Sequence, residues 1–160
     1  MGKLLQSEGY EVAEAWNASR AMKCLGEKQI DLVLLDLNLG REDGWEVYQK
    51  ISQLDGSIPV AIITAAYEQE ENAANARVDA LVEKPIDITG FLCVVNALLH
   101  ETEWERKQRR ENRGDSLYYI PRWGERYFKR LAERYNKPLR LRRLDVHCGS
   151  AKEQKGANAL

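Results

Sequence analysis

Apolar and polar residues alternate between two periods along the first hundred positions, and the changes of period divide the chain into elements. Ile30–Leu35 and Ile58–Ala65 are short apolar runs bounded by turn residues, with Pro59 near the start of the second. Such runs predict buried strands, and proline is tolerated where a strand begins. Ala80–Val82 predicts a third, shorter strand leading into Glu83-Lys84-Pro85. Tyr10–Ala15 alternates apolar and polar positions and predicts another short strand.

Helical spacing fills the intervals. Ser19 is placed to cap a helix through Ala21, Met22, Cys24 and Leu25, with Gly26 near its end. Asp43-Gly44 opens a helix bearing Trp45, Val47, Tyr48 and Ile51, closing near Asp55-Gly56. This apolar set predicts a core face. Glu68–Val78 is polar, rich in Ala and Asn, and compatible with a helix. Asp87 is placed to cap a helix through Phe91, Leu92, Val94, Val95, Leu98 and Leu99. Met1–Ser7, with Leu4 and Leu5, reads as the closing turns of a helix. Strand–helix alternation of this kind predicts an α/β fold, a parallel sheet with helices on both faces.

The texture changes at Glu101. Residues 103–110 are charged and predict a solvated prolongation of the preceding helix, broken at Gly114-Asp115-Ser116. Pro121–Tyr135 predicts a second basic helix, with Trp123, Tyr127, Leu131 and Tyr135 every four residues, stopped at Asn136-Lys137-Pro138. Leu139–Val146 alternates Leu with Arg, and Gly149–Leu160 is small and polar and predicts disorder. Charge follows the same division. Residues 1–100 carry 8 Lys and Arg against 16 Asp and Glu, a net of −8, whereas residues 101–160 carry 16 against 9, a net of +7. The expected organisation is therefore a domain over 1–100 and a basic extension over 101–160, partly helical and disordered at its end.

Other bulk features narrow the class. Hydrophobic residues make up 44% of the 160 positions, enough for a core, and no apolar stretch is long enough to span a bilayer. No apolar signal-peptide region follows Met1, so a cytoplasmic protein without membrane contact is expected. Cys24, Cys93 and Cys148 are widely spaced, which predicts buried free thiols for the first two. His100 and His147 lie far apart in sequence, so a Cys/His metal site is not expected.

The candidate chemistry begins with Asp36, at the C-terminal end of a predicted buried strand, where open α/β sheets place their ligand sites. Thr64 ends the next strand and Lys84-Pro85 the third, and Asp43-Gly44 lies in the loop beyond Asp36. The combination D-x-N-L-x-x-x-D-G, then I-I-T-A, then E-K-P-I closely resembles the receiver domain of bacterial response regulators over Lys3–His100. The resemblance implies a flavodoxin-like, doubly wound parallel sheet of five strands in the order 2-1-3-4-5. It implies that Asp36 is a phosphoacceptor, attacking a phosphohistidine of a histidine kinase or phosphotransfer protein to form an acyl phosphate. Lys84 would pair with the phosphoryl oxygens, and Thr64 would swing its hydroxyl onto them and signal to a downstream protein target. The Asp36 carboxylate and the Asn38 backbone carbonyl would be ligands for Mg²⁺. No further enzyme activity is implied beyond phosphoacceptor and autodephosphorylation chemistry.

The sequence departs from the family at its start. Receivers begin with a central strand ending in consecutive acidic residues that hold Mg²⁺, and this sequence opens where the first helix would be finishing. Three explanations fit: a true start further upstream, a decayed receiver, or a form that works without phosphorylation as a protein-interaction module. Leu81 stands where many receivers carry a switching aromatic residue, and Gly40 replaces a frequent proline. Residues 104–146 interleave Arg and Lys with Trp104, Tyr118, Tyr119, Trp123, Tyr127, Phe128 and Tyr135. This composition suits a solvated extension, contact with nucleic acid, or contact with acidic protein surface, including this chain's own first hundred residues.

Overall fold

A computed structural model of the chain describes residues 1–40, 42–111 and 117–121, together with the backbone of 158–159. The elements run α1 (Gly2–Ser7), β1 (Glu11–Val12), α2 (Ala18–Glu27), β2 (Val33–Asp36), α3 (Gly44–Leu54), β3 (Val60–Thr64), α4 (Glu70–Ala76), β4 (Ala80–Glu83), α5 (Ile88–His100), α6 (Glu103–Glu111), β5 (Tyr118–Ile120) and β6 (Asn158–Ala159). Four strands form one parallel sheet in the order β2-β3-β4-β5, and β1 pairs in parallel with β6.

Burial explains the apolar runs. Every residue of β3 and β4 is buried, as expected of strands covered on both faces, whereas β2 alternates buried and half-buried positions. One face packs Val33, Leu35, Ile62 and Leu81 against Val47, Tyr48 and Ile51 of α3, Ala73 of α4 and Ala18 of α2. The other packs Leu32, Ala61, Ile63, Ala80 and Val82 against Leu5 of α1 and Phe91, Val94, Val95 and Leu98 of α5. Helices on both faces of a parallel sheet make this the doubly wound, flavodoxin-like α/β fold. Registers Asp36↔Ile63 and Thr64↔Glu83 bring the C-terminal ends of β2, β3 and β4 to one edge.

Several expectations are corrected. The strand expected over Tyr10–Ala15 is confined to Glu11–Val12. In keeping with a sequence that lacks the family's first strand, β1 and β2 are not paired among the described residues, but the sheet gains an unforeseen β5 beside β4. Asn17, not Ser19, caps α2, because its backbone is extended and its side chain accepts from the Arg20 N–H at 2.8 Å. Residues 103–110 do not prolong α5 as a solvated helix. Glu101 is extended, and α6 starts anew with a reciprocal cap: the Thr102 Oγ1 accepts from the Glu105 N–H, and the Glu105 carboxylate accepts from the Thr102 N–H. Asn158–Ala159, expected in a disordered end, pairs with Glu11–Val12. The helix expected over Pro121–Tyr135 and the Leu/Arg alternation of Leu139–Val146 lie outside the described residues, apart from Pro121 itself.

Docking of α6 explains the second half of the fold. Arg109 is buried and bonds Glu101 Oε1 at 2.7 Å and Asp79 Oδ1 at 2.6 Å, and Arg110 takes Asp79 Oδ2 at 2.7 Å. Arg106 donates to the Ser57 carbonyl. Asp79 also accepts from the Val60 N–H at 2.8 Å, which joins the starts of β3 and β4. Burial alone would raise the Asp79 carboxyl, but the Arg110 and Arg109 guanidiniums and this N–H hold it below the ordinary carboxylate range. Burial likewise disfavours the Arg109 charge, and Glu101 and Asp79 outweigh it, raising its pKa.

Candidate functional site at the C-terminal edge of the sheet

Asp36 is the last residue of β2, so its side chain emerges where the sheet ends and the loop to α3 begins. Two partners orient the carboxylate. Oδ1 accepts from the Asn38 N–H at 2.9 Å, and Oδ2 pairs with the Lys84 ammonium, which arrives from the residue following β4. The Lys84 N–H donates to the Thr64 carbonyl at 2.7 Å, so pairing of β3 with the end of β4 places the lysine. The Asp36 and Lys84 side chains remain 36% and 37% exposed. An ion pair this wet contributes little to stability, on the order of 0–1 kcal/mol. The pair is instead a carboxylate with a cation in contact, open to solvent and held by the strand ends on which it sits.

Thr64 is brought to the same edge and is buried, with its Oγ1 accepting from the Ala66 N–H at 2.9 Å. That bond holds the β3–α4 loop, so the hydroxyl is engaged with backbone. Asn38 is exposed and tied to Asp43 by an isolated antiparallel bridge, which closes the loop beyond Asp36. Gly40 in that loop has φ +80°, a conformation that glycine adopts without strain. Asp43 then caps α3, accepting from the Trp45 N–H at 2.9 Å.

One residue of the site was foreseen without its reason, and one was not foreseen. Gly44 is required by contact: a Cβ there would lie 2.5 Å from the Leu37 Cα, so only glycine lets α3 start against the Asp36 loop. The D-G pair was visible in the sequence, but its reason was not. Glu42 accepts from the Ala18 N–H at 2.7 Å and ties the same loop to the first turn of α2. No local pattern signals a contact across 24 positions.

The described residues do not fit a magnesium site. Among them no group of three or more His, Cys, Asp or Glu side chains gathers. Both oxygens of Asp36 already have partners, and Glu83, which ends β4 at the same edge, is buried. A hard cation needs several oxygens around it, and one engaged carboxylate with one backbone carbonyl falls short.

Comparison with known proteins follows the same geometry. Residues 1–96 match the response regulator receiver domain family. Over 102 residues the chain is 38% identical to the transcriptional regulatory protein ZraR of Klebsiella oxytoca, covering 61% of this chain and 23% of that protein. It is 30% identical over 103 residues to the DNA-binding dual master transcriptional regulator RpaA of Synechocystis, covering 62% of this chain and 43% of that one. The chain thus spans less than half the length of these relatives. Among solved structures, the receiver domain of NtrX from Brucella abortus superposes with a TM-score of 0.58 at 25% identity, covering 63% of this chain and 88% of that chain.

Proposed function

The chain belongs to the response regulator receiver domain family of two-component systems, and from that premise we propose that Asp36 accepts a phosphoryl group from a histidine kinase or phosphotransfer protein. The observation that carries this reading is the partly exposed Asp36–Lys84 pair at the C-terminal edge of a parallel sheet. The Asp36 Oδ2 attacks phosphorus while the bond from phosphorus to the donor's imidazole nitrogen breaks, leaving an acyl phosphate on Asp36; the donor ring, protonated on its other nitrogen, departs as a neutral imidazole. The Asn38 N–H holds Oδ1 and thereby turns Oδ2 outward. Lys84 passes from the carboxylate to the phosphoryl oxygens as a point charge, which suits a reaction governed by position and charge.

Loss of the Asp36–Lys84 pair frees the end of β4, and Thr64, one strand away, responds by exchanging its Ala66 contact for a phosphoryl oxygen. That exchange carries the signal to a downstream protein target. Receiver domains generally bind Mg²⁺ at their acidic site, and because the described residues do not fit it, no step here passes through the metal. The domain division at residue 100 also belongs to this reading. We place the protein in the cytoplasm, in keeping with the buried free thiol of Cys24. No helix among the described residues is long and apolar enough to cross a membrane.

Incubation with acetyl phosphate and Mg²⁺, followed by intact mass and peptide mapping, tests the proposal. Addition of one phosphoryl group at Asp36 is expected, and its absence under conditions that label another receiver overturns the phosphoacceptor role. The poor metal site favours one second reading, a receiver-derived module that binds a protein partner without phosphorylation. It predicts that Asp36→Ala leaves partner binding unchanged.

A further inference from the structure

The basic extension returns to the sheet as β5, and its contacts differ in kind from those of the core strands. Tyr118–Ile120 lies along the outer edge of β4 in the register Ala80↔Tyr118, Leu81↔Tyr119 and Val82↔Ile120. The three side chains are half-buried, whereas those of β4 are buried. They alternate faces as a strand must. Tyr118 and Ile120 pack on the α5 side, and Ile120 Cδ1 would lie 3.2 Å from a Cβ placed on Gly90. Leu117 and Tyr119 pack on the α4 side, where the Tyr119 hydroxyl donates to Glu70 at 2.8 Å.

The lower end of β5 is tied to the Asp79 cluster. The Tyr118 N–H donates to the Asp79 carbonyl at 3.1 Å, and the Arg109 guanidinium lies 5.3 Å from the Tyr118 ring centroid. The segment therefore covers β4, α4 and α5 at once, on the strand that delivers Lys84. Among the described residues its hold includes three ladder residues, half-buried apolar packing on both faces, one tyrosine–glutamate bond and an arginine fastening at one end.

We propose that Leu117–Ile120 is a detachable cover over the β4 edge, fastened by the Arg109–Arg110–Asp79 cluster, and that it opens without unfolding the rest of the sheet. While closed it occupies the edge amides and carbonyls of β4, which would otherwise pair with an extended segment of another chain. Opening exposes that edge together with the flanks of α4 and α5. Small edge elements with few buried contacts open at lower cost than central strands, which is the behaviour the half-buried β5 and fully buried β3 call for.

Amide hydrogen exchange on the full chain, with no phosphoryl donor present, tests this apart from any role of Asp36. In the unmodified protein the amides of 118–120 are expected to exchange at least about tenfold faster than those of Ala61–Ile63. Arg110→Gln, at a partly exposed site that keeps Arg109 in place, is expected to speed 118–120 by a larger factor than Ala61–Ile63. Tyr119→Phe removes the Glu70 bond without touching the cluster and is expected to do the same to a smaller degree. Equal exchange in the two strands of the unmodified protein overturns the proposal. So does acceleration of both strands by the same factor in either variant, since β5 would then open only with the whole sheet.

Discussion

Two acid–base clusters sit at opposite ends of the same parallel sheet. At the C-terminal end, Asp36 and Lys84 meet with more than a third of each side chain in water. At the N-terminal end, Asp79 is 1% exposed and lies between Arg109 and Arg110, with Glu101 completing the group. Both pair carboxylates with cations, yet they serve different ends. Removing one partner from a buried cluster strands a charge out of water and costs about 3–5 kcal/mol, whereas an exposed pair is worth on the order of 0–1 kcal/mol. Asp79 therefore holds the fold, and Asp36 is free to react.

That contrast can be broken by substitution. The largest effect is expected for Asp79→Ala, which takes away the carboxylate that Arg109 and Arg110 share, leaves Glu101 to face the buried Arg109, and frees the Val60 N–H: a loss of about 3–5 kcal/mol in denaturant unfolding. Asp36→Ala should lose no more than about 1 kcal/mol in the same measurement. A comparable loss in both would erase the distinction. Next comes Gly44→Ala, where the new methyl meets the Leu37 backbone; about 1–3 kcal/mol is expected, without any change of charge at Asp36.

Acid provides a sharper probe of the same contrast. The Asp79 carboxyl is held below its ordinary value of 3.8, so the folded state binds fewer protons there than the unfolded chain. Its contribution is complete above that value and is lost as the pH falls through the lowered folded value. Unfolding followed from pH 6 downward should show a fall below roughly pH 4, blunted in Asp79→Asn. Among the smallest effects is Thr64→Val, which removes the acceptor of the exposed Ala66 N–H and should cost about 1 kcal/mol.

The sequence made the central part of this picture legible because the relevant signals are local. Ile30–Leu35 and Ile58–Ala65 are apolar runs whose burial follows from their composition, and Asp36 was marked by ending one of them. Lys84 was marked by Lys-Pro after a buried strand. The N-terminal cluster was not legible, because its meaning is held in distance. Arg109 is buried only because Asp79 lies 30 positions upstream at the start of β4, and helical spacing in 103–110 shows a charged helix either way. Tyr118–Ile120 was hidden for a related reason. Three residues amid basic and aromatic neighbours read as part of a tail until the β4 edge supplies the partner strand. At α2, Asn17 and Ser19 are both competent caps, and the extended backbone at Asn17 decides between them.

The most direct test measures phosphoryl uptake from acetyl phosphate and the denaturant midpoint on the same preparations of the unmodified protein, Asp36→Asn and Asp79→Asn. The account predicts that Asp36→Asn abolishes uptake and keeps a midpoint close to that of the unmodified protein, while Asp79→Asn lowers the midpoint and retains uptake wherever it remains folded. Undiminished uptake in a folded Asp36→Asn protein, or a loss of stability there as large as in Asp79→Asn, would contradict it.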